Sequence, residues 1–316
     1  MTEPEPRIPI ASSIAKFLLG VGLFAALIWW VAPPWDEIRD RVHLSLPLLS
    51  ISLLGSFVAT VVTAARWKLL SEGMGASRLP YGVYFHWLAL TRVVGQFMPT
   101  IVVDLLGRSA ALRHAGSDTS MGHLMTPVVL ERLLDLLLPF VMLAWALAVR
   151  LELIGAPYLG LVLITALFAL AMIPLLSPLA GLALRTYGWL RHFRHPDEPR
   201  PERPNVSRIL SAKIVGLAVA RYFSILVQYW GAGAGFGVLL PALVLLSAAP
   251  VAQAAGLVGI TPGGLGIQES GWVGGLKYLA QDEASIVVFM AATRLMMSVN
   301  FGLLSLASYP WRRATR

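Results

Sequence analysis

The chain has no cysteine. That excludes disulfides, thiolate metal sites, cysteine nucleophiles and cysteine lipidation, and it removes any redox clue to compartment. Charge is also scarce. Asp, Glu, Lys and Arg make up 13% of the 316 residues, about half of the roughly 25% typical of a soluble domain. Acidic residues are the scarcer sign, 17 against 25 Lys and Arg. In a soluble protein the resulting +8 would point to nucleic acid. No basic groove interleaved with aromatics accompanies it, so nucleic acid is set aside as a partner. The six histidines (His43, His86, His114, His123, His192, His195) form no metal-ligand spacing. No phosphate loop of the Gly-Lys-Ser/Thr type exists. Gly231, Gly233, Gly235 and Gly237 alternate without fitting a dinucleotide fingerprint. Close helix packing through small residues accounts for them better. Neither a cofactor nor a metal is implied.

What the chain does have is apolar sequence: 57% of its residues are hydrophobic. Several runs approach the roughly 20 residues needed to cross a bilayer. This predicts an all-α, polytopic membrane bundle, with residues 1–316 forming a single transmembrane domain. Candidate spans are residues 14–31, 46–64, 127–149, 158–176, 214–230 and 285–308. The first ends in Trp29-Trp30, an interfacial signature, and reads as a retained span rather than a signal peptide. Residues 81–112 and 235–279 are apolar too, but Pro, Gly and charges interrupt them.

Loop charge orients these spans. Residues 185–213 carry Arg185, Arg191, Arg194, Arg200, Arg203, Arg208 and Lys213 against Asp197, Glu198 and Glu202. That excess places the loop in the cytoplasm, together with the C-terminal Arg312, Arg313 and Arg316. Arg66 and Lys68, just past the second span, read as cytoplasmic for the same reason. Each interrupted segment then leaves and returns on one side, as a re-entrant hairpin or two short spans. The order becomes span–hairpin–span over about 46–149 and again over about 214–308, with the hairpins entering from opposite faces. Inverted repeats with broken helices are a transporter architecture.

The second hairpin turns at Gly259-Ile260-Thr261-Pro262-Gly263-Gly264-Leu265-Gly266-Ile267-Gln268-Glu269. Proline removes a donor and glycine costs about 1 kcal/mol per helical position, so a continuous helix breaks here and resumes near Leu265. The helix start after Pro262, Gly263 and Gly264 would offer backbone N–H groups and a positive dipole end to phosphate or carboxylate. Residues 100–114 would do the same from the other side, with Arg108 on the second turn.

Arg92, Asp104, Arg108, Glu131, Arg132, Asp135, Arg221, Glu269 and Arg294 are ionisable residues in or beside the apolar segments. Each charge at a bilayer centre costs roughly 2.5–3.5 kcal/mol on insertion scales, so these groups must be paired, hydrated or near an interface. Glu131 and Asp135 fall one helical turn apart, with Arg132 three residues before Asp135. Such a network could face a cavity or serve structure alone. Arg221 and Arg294 flank the glycine-rich hairpin and favour an anion site. Glu269 is placed to pair with one of them or to take up a proton.

Five stretches within residues 50–309 carry a resemblance. They are Arg66-Trp67-Lys68-Leu69-Leu70, Gly95-Gln96-Phe97-Met98-Pro99, Asp104 with Arg108, Glu131-Arg132-Leu133-Leu134-Asp135-Leu136, and Pro262-Gly263-Gly264-Leu265-Gly266-Ile267-Gln268-Glu269. Together they resemble the flippase-like membrane domain of lysylphosphatidylglycerol synthases and their stand-alone relatives. The family commonly has Gly-Gly-Asp where this chain has Val102-Val103-Asp104. Bifunctional members add a soluble aminoacyltransferase domain, which these 316 residues lack. The resemblance therefore implies lipid translocation between leaflets rather than aminoacylation, and some relatives are associated with polyprenyl-lipid or hopanoid pathways.

Three readings follow. The first is a bacterial inner-membrane transporter that holds an anionic lipid headgroup between the hairpins. The second is a membrane enzyme using Glu131, Asp135 or Glu269 as acid or base, for which neither a nucleophile nor a metal site is evident. The third is a non-transporting partner of a lipid-biosynthetic enzyme.

Overall fold

The structure, a computed structural model, describes residues 10–31, 33–192, 207–256 and 261–312. Most of the basic loop at 193–206, Arg313 and Arg316, and Gly259-Ile260 of the glycine-rich stretch lie outside the described residues. Among those described there are helices and no strand, only one isolated bridge.

Helix α1 (Ile10–Val31) is followed by α2 (Trp35–Arg41). The expected first span is helical, within the 22 residues of α1, and α1 is bent by 100° from α2. Pro33-Pro34 accounts for the break, since proline has no amide to donate and restricts the residue before it. Helix α3 (Leu46–Gly73) runs nine residues beyond the expected end of its span at residue 64. Arg66 is fully buried inside it rather than in a solvated loop past the span, and partly buried Lys68 pairs with Glu72 and donates to the Leu79 carbonyl.

The first interrupted segment folds as α4 (Tyr81–Val94), a turn through Pro99, the short α5 (Thr100–Val102), a π-helical turn (Val103–Gly107) and α6 (Arg108–His114). Its two ends are tied together where the Ser77 amide donates to Thr119 Oγ1 at 3.2 Å. Two long helices follow, α7 (Met121–Arg150) and α8 (Pro157–His192), then α9 (Arg208–Gly235). The second interrupted segment pairs α10 (Ala242–Gly256) with α11 (Ile267–Tyr278). They run antiparallel in close contact, Gly275 against Ala248 and Gly271 against Ala252. Helix α12 (Glu283–Ala307) and a 3-10 turn (Tyr309–Arg312) complete the described chain. Helices α3, α7, α8, α9 and α12 are each long and apolar enough to cross a membrane.

Helices α3 and α9 form the central pair, and glycine decides how close they come. A Cβ at Gly55 would lie 2.6 Å from the Gln228 amide nitrogen, and one at Gly231 would lie 2.5 Å from that of Ser52. Gly235 packs against Leu49 in the same way. The paired positions rise along one helix as they fall along the other, so the two run antiparallel. The alternating glycines are thus a packing surface, as their spacing suggested. Asn300 of α12 adds a polar tie to α3, donating to Ser52 Oγ at 3.1 Å and Ser56 Oγ at 2.8 Å.

Contacts also sort the helix ends. The start of α4 meets the end of α12, where His86 Nδ1 lies 3.0 Å from Ser308 Oγ and Trp87 Nε1 donates to the Arg312 carbonyl. At the opposite end, Ser45 donates to the Gly235 carbonyl and Arg41 pairs with Asp282 at 3.2 Å. The two turns meet between these ends, where Pro99 and Pro262 form an antiparallel bridge.

Candidate site: a charged cavity between the two turns

Beside that bridge lies a cavity of about 140 Å³, lined from α3, α4, α7, α9, α10 and both turns. It is far larger than the roughly 10–15 Å³ that admits one water. Its wall carries three arginines (Arg92, Arg132, Arg221), two aspartates (Asp104, Asp135), and Thr60, Thr63, Thr91, Gln96, Thr100, Gln228, Tyr229, Gln253 and Gln268. Apolar residues such as Leu88, Ile225, Met297 and Phe301 fill the gaps.

Most of the charge is held by pairing across helices. Glu131 and Asp135 sit one turn apart on α7, as their spacing predicts, and both face Arg66. Arg66 Nε donates to Glu131 Oε1 at 3.3 Å, and Arg66 Nη2 to Asp135 Oδ2 at 3.1 Å. Asp135 also meets Arg221 Nη1 at 3.1 Å. Behind this layer, Arg108 Nη2 lies 2.6 Å from Glu131 Oε2, short of hydrogen-bond geometry, and the guanidinium stacks 4.2 Å from the centre of the Trp67 ring. Arg132 pairs with Asp104. Asp104 and Arg108 are set by the π-helical turn and the helix after it, a backbone form that recurs at functional sites. Partly buried Arg92 lines the cavity and has neither an ion pair nor a side-chain hydrogen bond among the described residues. Five guanidinium groups therefore face three carboxylates in and behind this wall, a surplus of two positive charges.

A second cluster braces the other turn. Arg294 Nε donates to Glu269 Oε1 at 2.7 Å, and its Nη1 donates to the Gly263 carbonyl at 2.8 Å. Glu269 Oε2 accepts the Gly266 amide at 2.7 Å. Gly263, Gly264 and Gly266 have φ of 59°, 70° and 82°, a left-handed region that glycine enters without steric cost.

This arrangement changes the expected role of the helix start after Pro262-Gly263-Gly264. The Gly264 and Leu265 amides donate to the Thr261 and Pro262 carbonyls, and the Gly266 amide is held by Glu269. The dipole end is thus met by the protein's own carboxylate, and the donors foreseen for a ligand are largely engaged. Glu269 takes the ion-pair role with Arg294, while Arg221 joins the Asp135 cluster instead of flanking the same hairpin. Of the residues singled out from sequence, Arg132, Asp135, Arg221 and Gly263 line the cavity. Arg108 and Glu131 stand one layer behind, and Pro262, Gly264, Glu269 and Arg294 support the turn. Arg66, Arg92 and Asp104 were not among the site candidates. Their signal was available for Arg92 and Asp104 as charges in an apolar segment, and for Arg66 only if the second span is extended past its first charge.

Residues 17–304 match the family described as the lysylphosphatidylglycerol synthase TM region. The chain belongs to that family. The match takes in both interrupted segments and every charged residue of the two clusters. A comparison with curated proteins finds no match.

Proposed function

We propose that this multi-pass membrane protein moves an anionic or phosphate-bearing lipid between leaflets, its headgroup passing through the cavity between the two hairpins while the acyl chains stay in the bilayer. The observation that carries this reading is the cavity itself: a polar, net positive space enclosed by helices long and apolar enough to lie in lipid. Burying that much charge serves no packing purpose, because ion pairs removed from water seldom stabilise more than apolar residues of equal volume.

An inverted repeat fits the helix contacts. Exchanging α3 with α9, α4 with α10 and α7 with α12 carries the observed α4–α12 packing onto the α7–α10 packing, and the α3–α9 pair onto itself. The Pro99–Pro262 bridge also maps onto itself. On this reading the hairpins are re-entrant from opposite faces, and their turns meet near the midplane. The charge excess of residues 185–213 and of the C-terminus puts both in the cytoplasm of a bacterial inner membrane. A lipid-biosynthetic enzyme is the natural source of the substrate and the partner this reading implies.

Reconstituted vesicles test the transport reading. Fluorescent phosphatidylglycerol placed in both leaflets should become fully reducible by external dithionite when the protein is present, against half in protein-free vesicles. Arg221→Gln should slow that movement at least about tenfold by removing a cavity cation worth 1.4 kcal/mol or more to the bound headgroup. If anionic and phosphate-bearing lipids all cross no faster than in empty vesicles, the proposal fails.

A further inference from the structure

We infer that the cavity is matched to a phosphate group carrying two negative charges, and that Arg92 is the residue that binds it. This rests on the transport reading for its location but makes a separate claim about charge. Arg66, Arg108, Arg132 and Arg221 each meet at least one of Glu131, Asp135 and Asp104. Arg92 meets none of them, and it lines the space. A guanidinium stays protonated under all ordinary conditions, so in a setting of low polarity it needs a counter-charge, and no carboxylate among the described residues forms an ion pair with it.

The ligand can supply it. A phosphodiester headgroup brings one negative charge and leaves one cation of the network uncompensated. A headgroup with an added amine brings no net negative charge. A terminal phosphomonoester brings two, equal to the surplus. Thr100 lines the same wall, and Gln253 Nε2 is a buried donor with no hydrogen-bond partner among the described residues. A wall rich in donors and guanidinium forks suits the several acceptor oxygens of a terminal phosphate. The ligand class is thus a lipid that ends in phosphate.

The test uses the full chain in nanodiscs of phosphatidylcholine, with lipid binding read by native mass spectrometry and by ligand-dependent thermal shift. Phosphatidate is the doubly charged probe, phosphatidylglycerol the singly charged one, and inorganic phosphate the soluble one. At about pH 8 phosphatidate should bind at least roughly tenfold more tightly than phosphatidylglycerol, and the preference should shrink near pH 5, because the second ionisation of a phosphomonoester falls at about pH 6. Arg92→Gln should erase the preference while leaving phosphatidylglycerol bound, and Arg92→Lys should keep most of it. Equal binding of the two lipids at high pH overturns the inference, as does a preference untouched in Arg92→Gln. Displacement of phosphatidate by millimolar inorganic phosphate would overturn the assignment to a lipid. Selective binding of phosphatidate without any lipid movement would leave the inference standing and remove the transport reading. Movement of both lipids without selectivity would do the reverse.

Discussion

Arg66 and Arg92 sit at one polar level of the molecule, yet the chain treats them in opposite ways. Arg66 is enclosed and shared between Glu131 and Asp135, so removing it would break two buried ion pairs at once and leave Glu131 to Arg108 and Asp135 to Arg221. Breaking a buried pair in that fashion costs about 3–5 kcal/mol. Arg66→Met should therefore lower the unfolding midpoint in detergent sharply or abolish the monodisperse peak on size exclusion. Arg92→Gln strands nothing, because no carboxylate is held by Arg92. Its unfolding midpoint should match or exceed that of the parent, as one member of a like-charged set is gone, while phosphatidate binding falls. A large loss of stability in Arg92→Gln would mean that the side chain has a structural partner after all.

At the scale of elements, the α3–α9 crossing decides whether the cavity keeps its shape, since Thr60, Thr63, Arg221 and Gln228 all project from these two helices. Gly55→Ala would place a methyl 2.6 Å from the Gln228 amide nitrogen, and only separation of the backbones can relieve it. Overpacking of that kind costs about 1–3 kcal/mol. Thermal unfolding should show the loss, and transport should fall with it. Gly216→Ala is the control, because nothing lies within 4 Å of the added carbon and alanine is the better helix former. It should show no loss. This interface was legible beforehand from the alternating glycines at 231–237, and so were both interrupted segments, because proline, glycine and helix periodicity act over a few residues. Arg66 was not. Its partners lie 65 and 69 residues away along the chain, so hydropathy ended the span at the first charge and assigned the arginine to water. Arg92 was visible as a charge in an apolar segment, but its place in the cavity was not, since it makes no pair that spacing could reveal. The engaged amides after Pro262 depend on Glu269 turning back on its own helix start, a local capping geometry that was equally open to a ligand when only the residue types were known.

For the molecule as a whole, the two halves touch through their turns at the Pro99–Pro262 bridge. Arg294 stiffens the second turn by holding both Glu269 and the Gly263 carbonyl. If the halves rock about the cavity to expose it to each leaflet in turn, as inverted-repeat transporters do, that bridge must open during every cycle. The absence of native cysteine makes this directly testable. Residues opposed in an antiparallel bridge have Cα atoms about 4.5–5.5 Å apart, within the roughly 4.4–6.8 Å that a disulfide spans. A double variant, Pro99→Cys with Pro262→Cys, should therefore crosslink under mild oxidation. Lipid movement should stop in the oxidised protein and return on reduction, while each single variant stays active under both conditions. Undiminished movement in the fully crosslinked protein would mean that the turns form a fixed floor, and that the headgroup reaches both leaflets by a route that leaves them closed.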